Sequence, residues 1–165
     1  MDPHLTSLIV GEEETAMIVQ CLERLVAGTD ASYGMVLDRA GQIIAAKGDA
    51  YREEGIPLGA LLAGTFASSR EVARLLKEKD FRVLFQEGRR ENLFTELVDE
   101  QWMLVIVFKQ QAHLGLVKIL SKKATKELEG VLKLVRARNA QRRVEMDSTL
   151  RTVGRDTVDL IFKQE

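Results

Sequence analysis

The chain has 165 residues, 45% of them apolar and 30% charged, with a net charge of −1; that is one ordinary domain's worth of chain, long enough to bury roughly 70% of its unfolded surface without staples. The near-zero balance excludes a whole-chain electrostatic grip on nucleic acid. Cys21 is the one cysteine, which excludes an internal disulfide framework and any cysteine-built zinc site and suits a reducing compartment.

The N-terminus carries Asp2 and three glutamates at 12 to 14, with no basic stretch before an apolar core, so no signal peptide is expected. The longest apolar run, Trp102 to Phe108, is far short of the ~20 residues that span a bilayer. The expected location is the cytoplasm, with no membrane span.

Residues 1–10 show no cap and no clear period. From Glu12 a helical pattern begins, with Ala16, Val19, Cys21, Leu22, Leu25 and Val26 on one face, acids in the first turn and Gly28 as a stop. Cys21 reads as a small buried hydrophobe. Residues 32–38 and 42–47 read as strands. Between them, Asp38-Arg39-Ala40-Gly41 is a short hairpin, with Asp at the turn start and Gly41 free to take a positive φ. Residues 48–57 read as a loop.

Pro57 is suited to a helix start. The helix runs to about Lys79 on an apolar stripe of Leu58, Leu61, Leu62, Thr65, Phe66, Ser69, Val72, Ala73 and Leu76. Its back is unusual. Ala60, Ala63, Gly64, Ala67 and Ser68 stand where a solvated helix carries Lys and Glu. Gly in an exposed helix interior costs roughly 1 kcal/mol against Ala. Two readings follow: the helix is sandwiched inside its own fold, or its back is a protein interface.

Three strands follow. Phe81 to Glu87 alternates, with Phe81, Val83 and Phe85 on one side and Arg82, Leu84 and Gln86 on the other. Gly88 to Glu91 is a turn, Asn92 to Val98 a strand, Asp99 to Gln101 a turn. Trp102 to Phe108 is apolar throughout, and a strand apolar on both faces is covered on both, which places it at the sheet's centre. A long helix then carries Leu114, Val117, Leu120, Ala124, Leu128, Val131, Leu132 and Val135 on one stripe; its roughly 24 residues would span about 36 Å. Residues 122–143 hold eight Lys or Arg and two Glu. They read as a solvated helix end whose cations suit the dipole, with contact to an acidic partner or lipid as the minority reading. Residues 144–153 lack structure signals. Residues 156–163 form a short amphipathic segment with Val158, Leu160, Ile161 and Phe162, which docks on its own domain or on a partner.

No catalytic apparatus is visible. No Gly-rich phosphate loop or nucleophile elbow occurs, and His4 and His113 have no carboxylate or second His at helical spacing. No catalytic residue, metal or cofactor is expected. Arg70, Arg74, Arg89 and Arg90 are candidates for fingers supplied to a GTPase, against the plainer reading of solvated charges.

The order helix-strand-strand-helix-strand-strand-strand-helix gives an α+β fold: a five-stranded antiparallel sheet in an α/β/α sandwich, with a C-terminal tail. The outer helices cover one face. The second helix or another subunit must cover the other. The third strand is apolar enough to pair with a copy of itself across a twofold axis.

These residues resemble the roadblock/dynein light chain domain family. Met35 to Ile44 is similar to its first hairpin, and Leu61 to Ser69 to its central helix. Phe85-Gln-Glu-Gly88, the strand through Phe108 and Leu114-Gly-Leu-Val-Lys118 complete the pattern. The resemblance covers residues 11–138, leaving 139–165 as the tail. Within the family the likeness is strongest to the bacterial gliding-motility GTPase activators, which bear on cell polarity.

The resemblance implies a homodimer joined through Phe81, Val83, Leu84 and Phe85, with no enzymatic activity of its own. It implies a small Ras-like GTPase docked on Ala60, Ala63, Gly64, Ala67, Ser68 and Glu71. Val158, Leu160, Ile161 and Phe162 would make a tail contact. GTP hydrolysis would be stimulated by reshaping the GTPase's active site rather than by an arginine finger. The alternative is a dimeric scaffold or adaptor that binds a GTPase or a polarity or motility complex without changing hydrolysis.

Overall fold

The computed structural model describes the backbone of residues 8–48 and 51–162, and their side chains except those of 51–54 and 154–162. The elements are α1 (Glu12–Thr29), β1 (Ala31–Asp38), β2 (Ile43–Gly48), α2 (Tyr51–Leu75), β3 (Val83–Gln86), β4 (Glu91–Val98), β5 (Trp102–Lys109) and α3 (Leu114–Phe162). The strands form one antiparallel sheet in the order β2-β1-β5-β4-β3.

β5 lies at the centre, and every residue of it but Lys109 is buried. Trp102, Leu104, Ile106 and Phe108 face one layer; Met103, Val105 and Val107 face the other. The first layer is α1 and α3, which bring Ile18, Leu22 and Leu25 together with Val117, Leu128, Leu132 and Val135. The second is α2, which sets Leu62 and Phe66 on Met35, Leu37, Leu97 and Met103. The sandwich and the central strand are therefore as expected from the apolar pattern.

Two of the three hairpins, β1–β2 and β4–β5, are fixed by specific chemistry. In the first, Asp38 Oδ1 accepts hydrogen bonds from the backbone N–H groups of Ala40 and Gln42, each at 2.9 Å. Gly41 takes φ 84°. Its backbone presses against α2, where a Cβ on Gly41 would lie 2.4 Å from the Gly59 carbonyl oxygen. A Cβ on Gly59 would lie 2.3 Å from that of Gly41. The β4–β5 hairpin turns through Asp99 and Glu100, with φ 44° and 59°. Arg136 of α3 donates to both the carboxylate and the carbonyl of Asp99, bracing a turn that side chains with a Cβ favour poorly.

α1 and α3 run antiparallel, as two pairings 103 and 124 residues apart in sequence show. Arg24 pairs with Glu127. Arg138 holds the buried Glu14 at 2.8 Å and Glu13 at 3.0 Å. Beside them, Asn139 accepts from the N–H of Ile9 and donates to its carbonyl. The charge pattern makes Arg136 and Arg138 solvated cations; they are instead clamps, because α3 passes over the ends of two other elements.

Other boundaries differ from expectation. α2 starts at Tyr51, so Pro57 lies inside the helix. A proline in the second turn removes one backbone bond without ending the helix. The stripe on α2 is narrower than the spacing suggests: Leu61, Val72 and Leu76 are exposed, since only one sheet lies beneath the helix. β3 is confined to Val83–Gln86, leaving Phe81 half-buried outside the strand. α1 buries Ile18 rather than Ala16. α3 continues unbroken for 49 residues, through the 144–153 stretch expected to be irregular. Local bonds line it there, including Gln141 to Glu145 and Asp147 with Arg151, the i, i+4 support typical of solvated helices.

Two substitutions and one control test this framework by urea unfolding. Gly41→Ala adds positive-φ strain to a backbone clash and lowers stability by about 2–4 kcal/mol. Arg138→Ala strands the buried Glu14 carboxylate and costs about 1–3 kcal/mol, whereas Arg142→Ala stays within about 0.5 kcal/mol.

Candidate functional site

α2 has two faces of different character. Gly59, Leu62, Phe66 and Ala73 turn inward. At 100° per residue, Ala60, Gly64, Ala67, Ser68 and Glu71 fall on the opposite side, and all five are exposed. Ala63 sits at the flank, half-buried against the Leu62–Phe66 cluster. A Cβ on Gly64 would meet nothing within 4 Å, so the chain's own packing does not require glycine there. Ser68 spends its hydroxyl on the Gly64 carbonyl at 3.0 Å, and Glu71 pairs with Arg74 at 3.0 Å.

Around these small residues stand exposed aliphatics: Ile56, Leu61, Val72, Leu75 and Leu76. Leu61 is 70% and Leu75 74% accessible. A flat strip of small side chains with a large aliphatic border admits another backbone closely and offers apolar area at the rim. The spacing pattern assigns Leu61 and Val72 to the core, and so misses the border.

β3 is the second feature. It pairs with β4 alone and ends the sheet, leaving one edge of backbone donors and acceptors without a strand. Val83 and Phe85 are exposed on the face of Phe94 and Glu96, their partners across the ladder being Glu96 and Phe94. Phe85 stacks on Phe108 with ring centroids 6.3 Å apart. Leu84 points to the other face, half-buried by the α2-side cluster.

The titratable groups offer little chemistry. Burial pushes the Cys21 thiol up to about 11, helped by the neighbouring Glu127 and opposed by Arg24, so it is a neutral thiol at physiological pH. Glu96, buried beneath α3, is raised by burial, against the lowering effects of Thr125, Arg82 and Lys122. Arg70 lies 3.6 Å from Asp80, and Arg74 is tied to Glu71. Arg89 and Arg90 are exposed in the β3–β4 turn. Among the described residues, no group of three or more His, Cys, Asp or Glu could hold a metal ion. No helix there is long and apolar enough to cross a membrane. Val158, Leu160, Ile161 and Phe162 lie within α3, but their side chains fall outside the described residues.

A five-stranded antiparallel sheet with this strand order, two helices on one face and one on the other, is the roadblock-type α+β architecture. A profile of the Roadblock/LC7 domain matches residues 17–108, and the chain belongs to that family. Among solved structures, MglB of Myxococcus xanthus is 30% identical; the match covers 78% of this chain and 96% of that one, with a TM-score of 0.73. The gliding protein MglB of Thermus thermophilus is 30% identical over 79% of this chain and 97% of its own, with a TM-score of 0.71. An MglB with a tetrameric arrangement is 28% identical over 82% of this chain and 99% of its own, with a TM-score of 0.74. No curated protein sequence matches.

The buried groups give two testable outcomes. Because the folded-state pKa of Glu96 is raised, the native state holds its proton more tightly, and stability falls as pH rises through the interval above 4.5. Glu96→Gln removes that cost, so the variant unfolds at higher urea than the parent at pH 7 and loses the advantage in acid. Cys21 reacts with a thiol reagent only at the rate of unfolding, and a fast native-state reaction would contradict its burial.

Proposed function

We propose that this chain is a homodimeric regulator of a small Ras-like GTPase. The exposed outward strip of α2 carries the reading: Ala60, Gly64, Ala67 and Ser68, small residues that the chain's own packing leaves uncovered, with Glu71 beside them. Ala63 borders the strip. The likeness to MglB proteins over nearly their whole length supports the choice of partner class, and the tetrameric MglB supports self-association. In this reading the domain proper is residues 11–138, and residues 139–165 add a second contact through Val158, Leu160, Ile161 and Phe162.

Dimerisation joins β3 edges, using Val83, Leu84 and Phe85 with Phe81 beside them. It satisfies the open ladder and buries exposed aromatic and aliphatic area. Hydrolysis is stimulated by pressing on the GTPase's mobile loops and reshaping its active site. On α2 itself, Arg70 and Arg74 already have carboxylate partners, which favours this over an arginine finger from that helix. A scaffold that binds without changing turnover is the second reading.

Ala67→Arg places a long cation on the strip. The variant remains dimeric by light scattering, while its retention of a GTP-loaded Ras-like GTPase drops at least tenfold and stimulation of GTP turnover disappears. Undiminished stimulation would remove α2 from the contact. Binding without any rate change in the parent protein would favour the scaffold. Leu84→Asp, measured alongside, yields a monomer.

A further inference from the structure

We propose that the outward face of α3 docks on an anionic lipid surface. The run 122–143 carries eight Lys or Arg and two Glu, and the structure shows how that charge is spent. Both glutamates are engaged by cations from elsewhere, Glu127 by Arg24 and Glu129 by Arg82. Arg136 and Arg138 are engaged by Asp99, Glu13 and Glu14. Lys122, Lys123, Lys126 and Lys133 are exposed and have no ion-pair partner among the described residues. Positive charge is thus left concentrated on one helix of a chain whose total is −1.

The position of these lysines gives the face its character. Taking Leu128, fully buried, as the inward direction, 100° per residue places all four lysines within about 60° of the outward one. Between residues 115 and 140 the same sector otherwise holds only Leu116, Ile119, Leu134, glycines and alanines. No acid, hydroxyl or aromatic residue falls in it. Ile119 is 69% accessible, and Leu116 and Leu134 are also exposed. On the neighbouring α1, Glu23 is paired with Lys47 and Glu13 with Arg138, so the acids beside the strip are largely neutralised.

Lysines with aliphatic neighbours on one side of a helix form the pattern that lies in a membrane interface: ammonium groups reach the phosphates while their stems and the aliphatics bury shallowly. Four to eight such cations on a helix are enough for anionic headgroups. A protein partner fits less well, because protein interfaces are depleted in Lys and anchored by Tyr, Trp and Arg, none of which this face offers. The inference is independent of the GTPase reading, since it concerns the opposite layer of the sandwich and is tested on this chain alone.

The test is co-sedimentation of the full chain with vesicles of phosphatidylcholine, with and without phosphatidylglycerol. The chain is retained on the mixed vesicles at low salt, released at high salt and not retained on phosphatidylcholine alone. Lys123→Gln/Lys126→Gln/Lys133→Gln, with an unchanged circular dichroism spectrum, lowers retention about 100-fold. Three results overturn the proposal: no retention on the mixed vesicles, equal retention of the triple variant, or binding of a soluble polyglutamate peptide without binding of vesicles. The last would assign the strip to an acidic protein.

Discussion

β5 is apolar on both sides, and a strand of that kind must be roofed twice. A single chain of this size meets the demand by wrapping helices around both faces. The alternation of Trp102, Leu104, Ile106 and Phe108 with Met103, Val105 and Val107 divides the core into two clusters that share only the sheet. α1 and α3 are committed to one cluster, and α2 alone serves the other. The unequal cover has a consequence for surfaces. Where two helices lie side by side they shield each other's flanks, whereas the lone α2 leaves Leu61, Val72, Leu75 and Leu76 to solvent.

The charged contacts play a different part from the apolar ones. Arg136 and Arg138 sit two residues apart on α3 and reach opposite ways, to the β4–β5 turn and to the first turn of α1. They fix where α3 leaves the sandwich. Glu14, deep beneath Arg138, has exchanged hydration for one strong partner; removing either member costs more than the pair contributes.

Much of this was legible in the residues. The central strand was plain because seven consecutive apolar residues, Trp102 to Phe108, leave no side for water. Asp38 and Gly41 marked their turn by side-chain acceptors and a positive φ. The small residues of α2 marked its outward face because Lys or Glu would ordinarily stand there. What was not legible depended on partners distant in sequence. The three-and-four spacing groups Leu61 and Val72 with Leu62 and Phe66, since periodicity does not say how wide the covering surface is. Glu14 looked like any acid in a first turn until Arg138, 124 residues away, came over it. Pro57 signals a helix start equally well at the first turn and near it. The apolar residues of the 144–153 stretch, Val144, Met146, Leu150 and Val153, are all exposed, so no core contact marks the helix there and neighbouring i, i+4 bonds support it.

The length of α3 makes it a lever as well as a wall. At 1.5 Å per residue its 49 residues measure about 74 Å, and the clamps at Arg136 and Arg138 lie near the middle. The first half is bedded in the sandwich; residues 141–153 are exposed on every side. A force on the far end is therefore delivered as torque to the β4–β5 turn and the start of α1. These are the two charged holds nearest the exposed half of the helix, the pairs at Glu127 and Glu129 lying further back.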